Sequence, residues 1–438
     1  MTLLERVERA GNAPLYQSAE DERSSLARLR VQMQQVVSAD KLAQLARENP
    51  EQARNEVRSA CRRAFEDGSW SWASNRVRES LVERLVDTTF GYGLLEGLLA
   101  DETVTEIMVN GTNSLFYERG GVLYESEYHY EDEQELRALI DRILGPLGRR
   151  IDEASPMVNA RLEQGHRVNA VISPISLCGS VVTIRKFSER VITLEDMRES
   201  GTIDDLLYTF LLWAVKSRRS IAVSGGTGSG KTTFLNALSC VISPQERIIT
   251  IEDSAELRFF EHPHVVGMEA RPRNAEGLGE ITIRDLVTNA LRMRPDRIIV
   301  GECRGAEALD MLQAMNTGHD GSLTTLHANS PEESIARLET MVRFGADLPI
   351  DVIEANIASA IDLIVQMRRA PDGSRVASKV VELEYDRDRG RCETRVVYDR
   401  PIGSDRGAWE RIPSWVERLS SENDVPAEEV QAWVRKCL

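Results

Sequence analysis

Eight residues constrain this chain more than any others. Gly225, Gly226, Thr227, Gly228, Ser229, Gly230, Lys231 and Thr232 match the pattern GxxxxGK[ST], and Thr233 follows. The flanks agree with the motif. Ile221–Ser224 reads as an apolar strand, and Thr232–Val241 as a helix with Phe234, Leu235, Leu238 and Val241 on one side. A strand that runs through a glycine loop into a helix makes a phosphate cradle. The glycines let backbone N–H groups turn inward around phosphate oxygens without Cβ clashes, and the helix adds its positive end. In such a loop Lys231 supplies a point charge to the β- and γ-phosphates, and Thr232 offers a hydroxyl to magnesium. The expected ligands are therefore ATP and Mg2+. The alternative is an ordinary glycine turn, and the agreement of motif and context weighs against it.

Hydrolysis also needs a group to orient or deprotonate water, and acids for the metal shell. Arg297–Val300 is an apolar run that leads into Gly301 and Glu302. A plain phosphate-loop enzyme carries Asp where this chain has Gly301. Glu302 is the first candidate for polarising the attacking water, because a strand's C-terminal end is where ligands bind in an open α/β sheet. A second acidic strand end, Glu252 and Asp253, is expected to hold the magnesium shell through water, with Glu252 as the second candidate base. Alone, each would read as a solvated strand-end carboxylate. Of six histidines, two fall in the stretch from Gly318 to Asn329. His327 ends an apparent strand and is a candidate for contact with the γ-phosphate, against the alternative of a structural histidine bonded to backbone. His319 is the weaker of the pair. Arg271, Arg273, Arg284, Arg292, Arg294, Arg297 and Arg304 flank the acidic strands. Arg167 and Arg185 sit on apparent strands further upstream, where spacing alone favours surface salt bridges.

The chain's 438 residues allow two or three domains. Residues 1–19 read as a leader and 20–90 as several helices, with Leu26, Leu29, Met33 and Val36, then Val77, Leu81 and Leu85, at helical spacing. Residues 91–190 read as a mixed α/β domain. Its expected strands are Val104–Val109, Ser114–Glu118 and Val122–His129, then a helix over Gln134–Leu144 and a small sheet over Arg161–Leu162, Arg167–Ser173 and Ser180–Arg185. Residues 191–202 read as a connection. From 203 to 438 strands and helices alternate, and near-continuous apolar strands predict a mainly parallel sheet covered on both faces. A hairpin over Val380–Tyr385 and Glu393–Tyr398 and a polar, Trp-bearing tail close the chain. Thr282 to Asp285 and Ser330 to Glu333 both fit a capping box.

A formal charge of −16 opposes nucleic-acid binding, and no direct nucleic-acid partner is expected. Six scattered cysteines without a CxxC pair predict reduced thiols and no zinc site. No run is long and apolar enough to cross a bilayer. The best, Leu206 to Val215, is short, so a membrane role is expected to come through a partner.

Five stretches together resemble the secretion-superfamily ATPases that drive type II secretion, type IV pili and type IV secretion. They are EIMVNG (106–111), RIDEASPMVNARL (150–162), SGGTGSGKTTFLNAL (224–238), ITIEDSAEL (249–257) and the long run 281–331. The likeness is closest to tight-adherence (Tad/Flp) pilus assembly ATPases of the CpaF/TadA type, and covers about 100–370. The resemblance implies an α/β fold with a RecA-like P-loop domain. It makes Lys231 and Thr232 the Walker A pair, Glu252 and Asp253 the acidic box, Glu302 the Walker B glutamate, and His319 and His327 the histidine box. Arg167 and Arg185 look like the family's N-domain arginines, which approach the nucleotide when the domains close. The implied assembly is a hexameric ring on the cytoplasmic face, peripheral to the membrane through an inner-membrane platform protein. Cys303 departs from the wider superfamily, where an aliphatic residue is expected before Arg304. The tetracysteine zinc module of some relatives is absent from the sequence. The competing readings are a type IV secretion or pilus retraction motor of the same superfamily, a RecA-like nucleic-acid motor, and a non-catalytic nucleotide switch.

Overall fold

The computed structural model describes residues 19–437 apart from 39–40, 43, 46–48, 163, 188–190, 260–261, 272, 274–277 and 423–424. The expected leader lies outside the described residues save at its last position. The described residues divide into two compact units, with the boundary at 189/190.

The first unit begins with α1 (Ala19–Val36), α2 (Pro50–Ala64) and α3 (Asn75–Phe90). Residues three and four apart line one face of each, and Leu29, Met33, Val57, Leu81 and Leu85 meet around Trp70. Asn49 and Ser74 start α2 and α3 by accepting from the N–H groups of Gln52 and Val77. After a short α4 (Glu96–Ala100), six strands form one antiparallel sheet in the order β3-β2-β1-β6-β5-β4. These are β1 (Val104–Asn110), β2 (Ser114–Arg119), β3 (Val122–Glu125), β4 (Met157–Arg161), β5 (Arg167–Val171) and β6 (Val181–Arg185). Helix α5 (Glu133–Leu144) covers the sheet with Leu136, Leu139, Ile140 and Ile143.

Two sequence expectations change here. The strand expected at Arg161–Leu162 is Met157–Arg161, and the one expected to reach His129 stops at Glu125. All four residues of β3 are exposed, so no buried face carries it further. The two strand groups also join, because Ile107 pairs with Ile184 and Val109 with Val182. That match of apolar faces lies far apart in sequence, out of reach of any local pattern.

The second unit begins inside the expected connection. Helix α6 (Leu194–Glu199) has a reciprocal capping box between Thr193 and Asp196 and buries Leu194 and Met197. Residues 191–202 therefore carry a packed helix. Next come α7 (Asp205–Lys216), β7 (Ile221–Gly225), α8 (Lys231–Ser239), β8 (Ile248–Glu252), β9 (Val265–Glu269), α9 (Ile283–Ala290), β10 (Arg297–Val300), α10 (Glu307–Asn316), β11 (Leu323–Leu326), α11 (Pro331–Gly345), α12 (Ile350–Ala360), β12 (Leu363–Arg369), β13 (Arg375–Asp386), β14 (Arg391–Asp399), β15 (Ala408–Trp409), α13 (Ser414–Glu422) and α14 (Ala427–Cys437). The sheet order is β15-β14-β13-β12-β7-β11-β10-β8-β9. All neighbours from β12 to β9 are parallel, and β13 to β15 extend the sheet antiparallel. Every residue of β7, β8, β10 and β11 is buried, as a parallel sheet covered on both faces requires.

The capping box at Thr282 and Asp285 is complete. At Ser330 only half forms, because the Glu333 carboxylate turns to the N–H and side-chain amide of Asn329. The polar-looking tail is part of the core. Trp409, Trp415 and Trp433 gather around Phe210, with ring centroids 5.2, 5.2 and 6.1 Å from it. Among the described residues no helix is long and apolar enough to cross a membrane; the Leu206 to Val215 run lies in α7, which buries Leu207, Phe210, Leu211, Trp213, Ala214 and Val215.

The N-terminal edge of the parallel strands is held by a buried charge. Arg297, 1% exposed, opens β10 and makes a two-point contact with Glu246 at 2.8 and 3.0 Å. It also donates to the carbonyls of Gly321 at 3.1 Å and Val215 at 2.9 Å. Arg218 adds a second cation to Glu246 at 2.8 Å. One side chain thus ties the end of α7 to the lead-ins of β8, β10 and β11. Removing one partner of a buried pair strands the other charge. Glu246→Ala should therefore cost about 3 kcal/mol in a denaturant melt. Glu195→Ala, which breaks an exposed pair with Arg198, should change stability by less than about 0.5 kcal/mol.

Candidate functional site

Parallel strands end on the same side, so the C-terminal ends of β7, β8, β10 and β11 open along one edge. That edge carries the glycine loop, Glu252 and Asp253, Glu302 to Arg304, and His327.

The loop turns from β7 into α8 through Gly230, which takes the N-cap position with φ +88°, a conformation natural to glycine. Lys231 is the first helical residue and only 7% exposed. Its Nζ donates to the Gly226 carbonyl at 2.8 Å, and Ser229 Oγ donates to the same oxygen at 2.9 Å. Burial, with the charge of Arg304, lowers the Lys231 ammonium below its usual range, and Glu302 opposes the shift. Thr232 follows in the first turn, half-buried, while Thr233, Thr227 and Gly228 are exposed.

Across from the lysine lies a chain of charges. Asp253 is 3.8 Å from Arg304, Arg304 donates to Glu302 at 2.6 Å, and the other Glu302 oxygen is 3.2 Å from His327 Nε2. Burial alone would raise the Glu302 carboxyl. The hydrogen bond and charge of Arg304, with His327 and Lys231, hold it below the ordinary carboxylate range. His327 is pushed down by burial and by Lys231, against the pull of Glu302, so the imidazole is neutral at pH 7. The backbone under this chain is stapled. Thr325 Oγ1 donates to the Gly301 carbonyl at 2.7 Å, and Glu307 accepts from the N–H groups of Arg304 and Gly305. Cys303 points into the apolar cluster beneath, where burial pushes its thiol up.

At Gly301 a Cβ would stand 2.9 Å from Glu252 Cγ, so a larger residue at the position expected to hold Asp would have to displace the Glu252 side chain. Glu252 itself is 3% exposed, and its Oε1 accepts from the N–H groups of Glu256 at 2.9 Å and Leu257 at 3.0 Å. It shapes the loop after β8. Glu252, the second candidate base and shell ligand, is thus buried with one oxygen on backbone N–H groups, and the exposed Asp253 is the acid of that pair that faces outward.

The two box histidines separate. His319 precedes β11, at the opposite edge of the sheet, with Nδ1 3.0 Å from the Ala314 carbonyl at the end of α10. Four strand residues, roughly 13 Å, lie between that edge and His327. The structure therefore places His319 apart from the edge that carries His327. Arg297 is likewise at the far edge. Arg167 and Arg185 lie in the first unit, directly opposite one another on β5 and β6. Sequence reading passes over Arg375, which begins β13 and donates to the Gly228 carbonyl at 3.2 Å. Nothing near it in sequence marks it.

A histidine titration followed by NMR tests the charge chain. The His327 midpoint should fall below the ordinary 6.5. In Glu302→Gln it should fall further, because the carboxylate is what raises it. An unchanged midpoint would mean that the two groups do not interact.

Residues 90–395 match the family model described as type II/IV secretion system protein. The chain is 34% identical over 318 residues to the conjugal transfer protein TrbB of Rhizobium radiobacter, covering 70% of this chain and 92% of that one. It is 33% identical over 342 residues to the type IV secretion system protein PtlH of Bordetella pertussis, covering 70% and 98%. Among solved structures it is similar in fold to the pilus retraction motor PilT with bound ADP, at TM-score 0.50 and 19% identity, over 78% of this chain and 89% of that one. The chain belongs to the type II/IV secretion system protein family.

Proposed function

We propose that this chain is an ATP-hydrolysing motor of a type IV secretion or type IV pilus machine, with a RecA-like core in its second unit. The observation that carries the reading is the glycine loop and buried Lys231 set against Glu302, itself gripped by Arg304 and His327. In this reading the loop N–H groups and Lys231 hold the β- and γ-phosphates. Glu302, kept ionised by Arg304, orients and deprotonates the attacking water. Neutral His327 holds the second Glu302 oxygen and relays loss of the γ-phosphate. Asp253 and Arg304 complete the charge balance. Arg167 and Arg185 keep the nucleotide role that the resemblance implies. A magnesium ion fits the hard oxygen donors at this edge, the Thr232 hydroxyl and the Asp253 carboxylate. When bound, it neutralises charge on the phosphate oxygens.

The sequence likeness supports pilus assembly of the Tad/Flp type, and the relatives named for conjugal transfer and type IV secretion support an export motor. Both readings share a hexameric ring, a cytoplasmic site and a membrane-embedded platform partner. They differ in cargo. A strain lacking this chain should lose surface fibres under electron microscopy if it assembles a pilus, and lose exported protein or DNA with fibres intact if it drives secretion.

Purified protein should turn over ATP in a Mg2+-dependent reaction and run as a ring-sized species in light scattering. Glu302→Gln should lower kcat by about 100-fold or more, the range typical of a lost general base, while nucleotide binding persists. Lys231→Ala should lose binding itself. Undiminished turnover in Glu302→Gln would sink the assigned role, and DNA-stimulated turnover would revive a nucleic-acid motor.

A further inference from the structure

We infer that Arg375 is a positioning residue that sets the conformation of the phosphate loop from the β12–β13 hairpin. The inference rests on the ATP reading of that loop. β12 runs parallel beside β7, and its register brings Met367 opposite Gly225, the residue at which the loop departs. From there β12 continues to Arg369 and returns as β13, with Arg369 and Arg375 paired at the mouth of the turn. The end of the hairpin therefore stands against the loop, two residues beyond the last β7 pair.

The turn is preorganised. Ala370 N–H donates to the Ser374 carbonyl at 2.7 Å, and Gly373 N–H to the Ala370 carbonyl at 2.9 Å. The Asp372 carboxylate accepts from both the N–H and the hydroxyl of Ser374, at 2.9 and 2.7 Å, which also holds its carboxyl below the usual range. A hairpin pinned in this way delivers the next side chain, Arg375, in one place.

Arg375 makes two contacts there. Its Nε donates to the Gly228 carbonyl at 3.2 Å. Its Cδ lies 2.9 Å from where a Cβ on Gly230 would stand, so the arginine stem packs directly over the glycine that heads α8. The consequence follows from the planar trans peptide. With the Gly228 carbonyl turned toward Arg375, the N–H of Ser229 in the same peptide must point the opposite way. Orientation of loop N–H groups is what a phosphate cradle consists of. A glycine-rich loop has the largest entropy to lose on adopting one such arrangement, and an external clamp on its carbonyl reduces that loss at binding. Arg375 thereby acts on nucleotide affinity through the loop backbone, away from the water-activating side where Glu302 and His327 sit.

The test is steady-state ATP turnover with direct nucleotide binding for the wild-type chain, Arg375→Ala, Arg375→Lys and Lys231→Ala. Losing one charge-assisted hydrogen bond should raise KM and Kd for ATP about five- to tenfold in Arg375→Ala, with kcat within about twofold. Arg375→Lys, which keeps a cationic donor, should recover part of the affinity. Unchanged KM and Kd in Arg375→Ala would overturn the proposal, as would a collapse of kcat at constant Kd. Equal loss in the alanine and lysine variants would also overturn it, since the donor would then not matter. Failure of the ATP reading looks different. There the folded wild-type chain binds no ATP and Lys231→Ala changes nothing, and the inference about Arg375 falls with it.

Discussion

The parallel register of β12, β7, β11, β10 and β8 is the constraint on which the chemistry of the second unit depends. Side-by-side strands running one way put five strand ends and the loops that follow them along a single edge. At the other edge the same register is secured by Arg297, whose guanidinium is shared among Glu246, Gly321 and Val215. The buried charge acts through geometry, since its donors point in fixed directions to two strand lead-ins and the end of α7 at once. Strand ends aligned at one edge become a site at the other.

Glu302 and Glu252 both stand at strand ends, yet their surroundings differ. Glu252 lies beneath Gly301 and gives its oxygen to backbone N–H groups. Glu302 is half-buried between a guanidinium and an imidazole, with Lys231 within electrostatic reach. The missing Cβ at 301 connects the two. The acid stands one residue along, at 302, and Glu252 packs beneath the glycine.

Much of this was legible in sequence where the signal is local. Apolar runs placed β7 and β10 to within a residue, since buried parallel strands read as continuous hydrophobic segments, whereas β13 begins five residues ahead of the expected Val380. Glycine spacing placed the phosphate loop, and caps placed α9 and α11. The misses have a common cause. The joined six-stranded sheet, the Trp cluster around Phe210 and the packed helix α6 all depend on contacts between residues distant in sequence, and a polar-looking tail gives no sign that its tryptophans face inward. His319 was grouped with His327 because both lie in one short motif, although a strand divides them.

Sequence by itself determined that this chain holds a phosphate loop in an α/β setting and supplied the candidate acids, because those signals reside in residue type and short spacing. Tertiary structure decided which candidates meet. It brought Glu302, Arg304, His327 and Lys231 together, turned Glu252 inward, sent His319 to the far edge, and laid Arg375 on Gly228 from more than a hundred residues away. The physical reason is that the direction of a side chain follows from strand register and packing, which only the folded sheet defines.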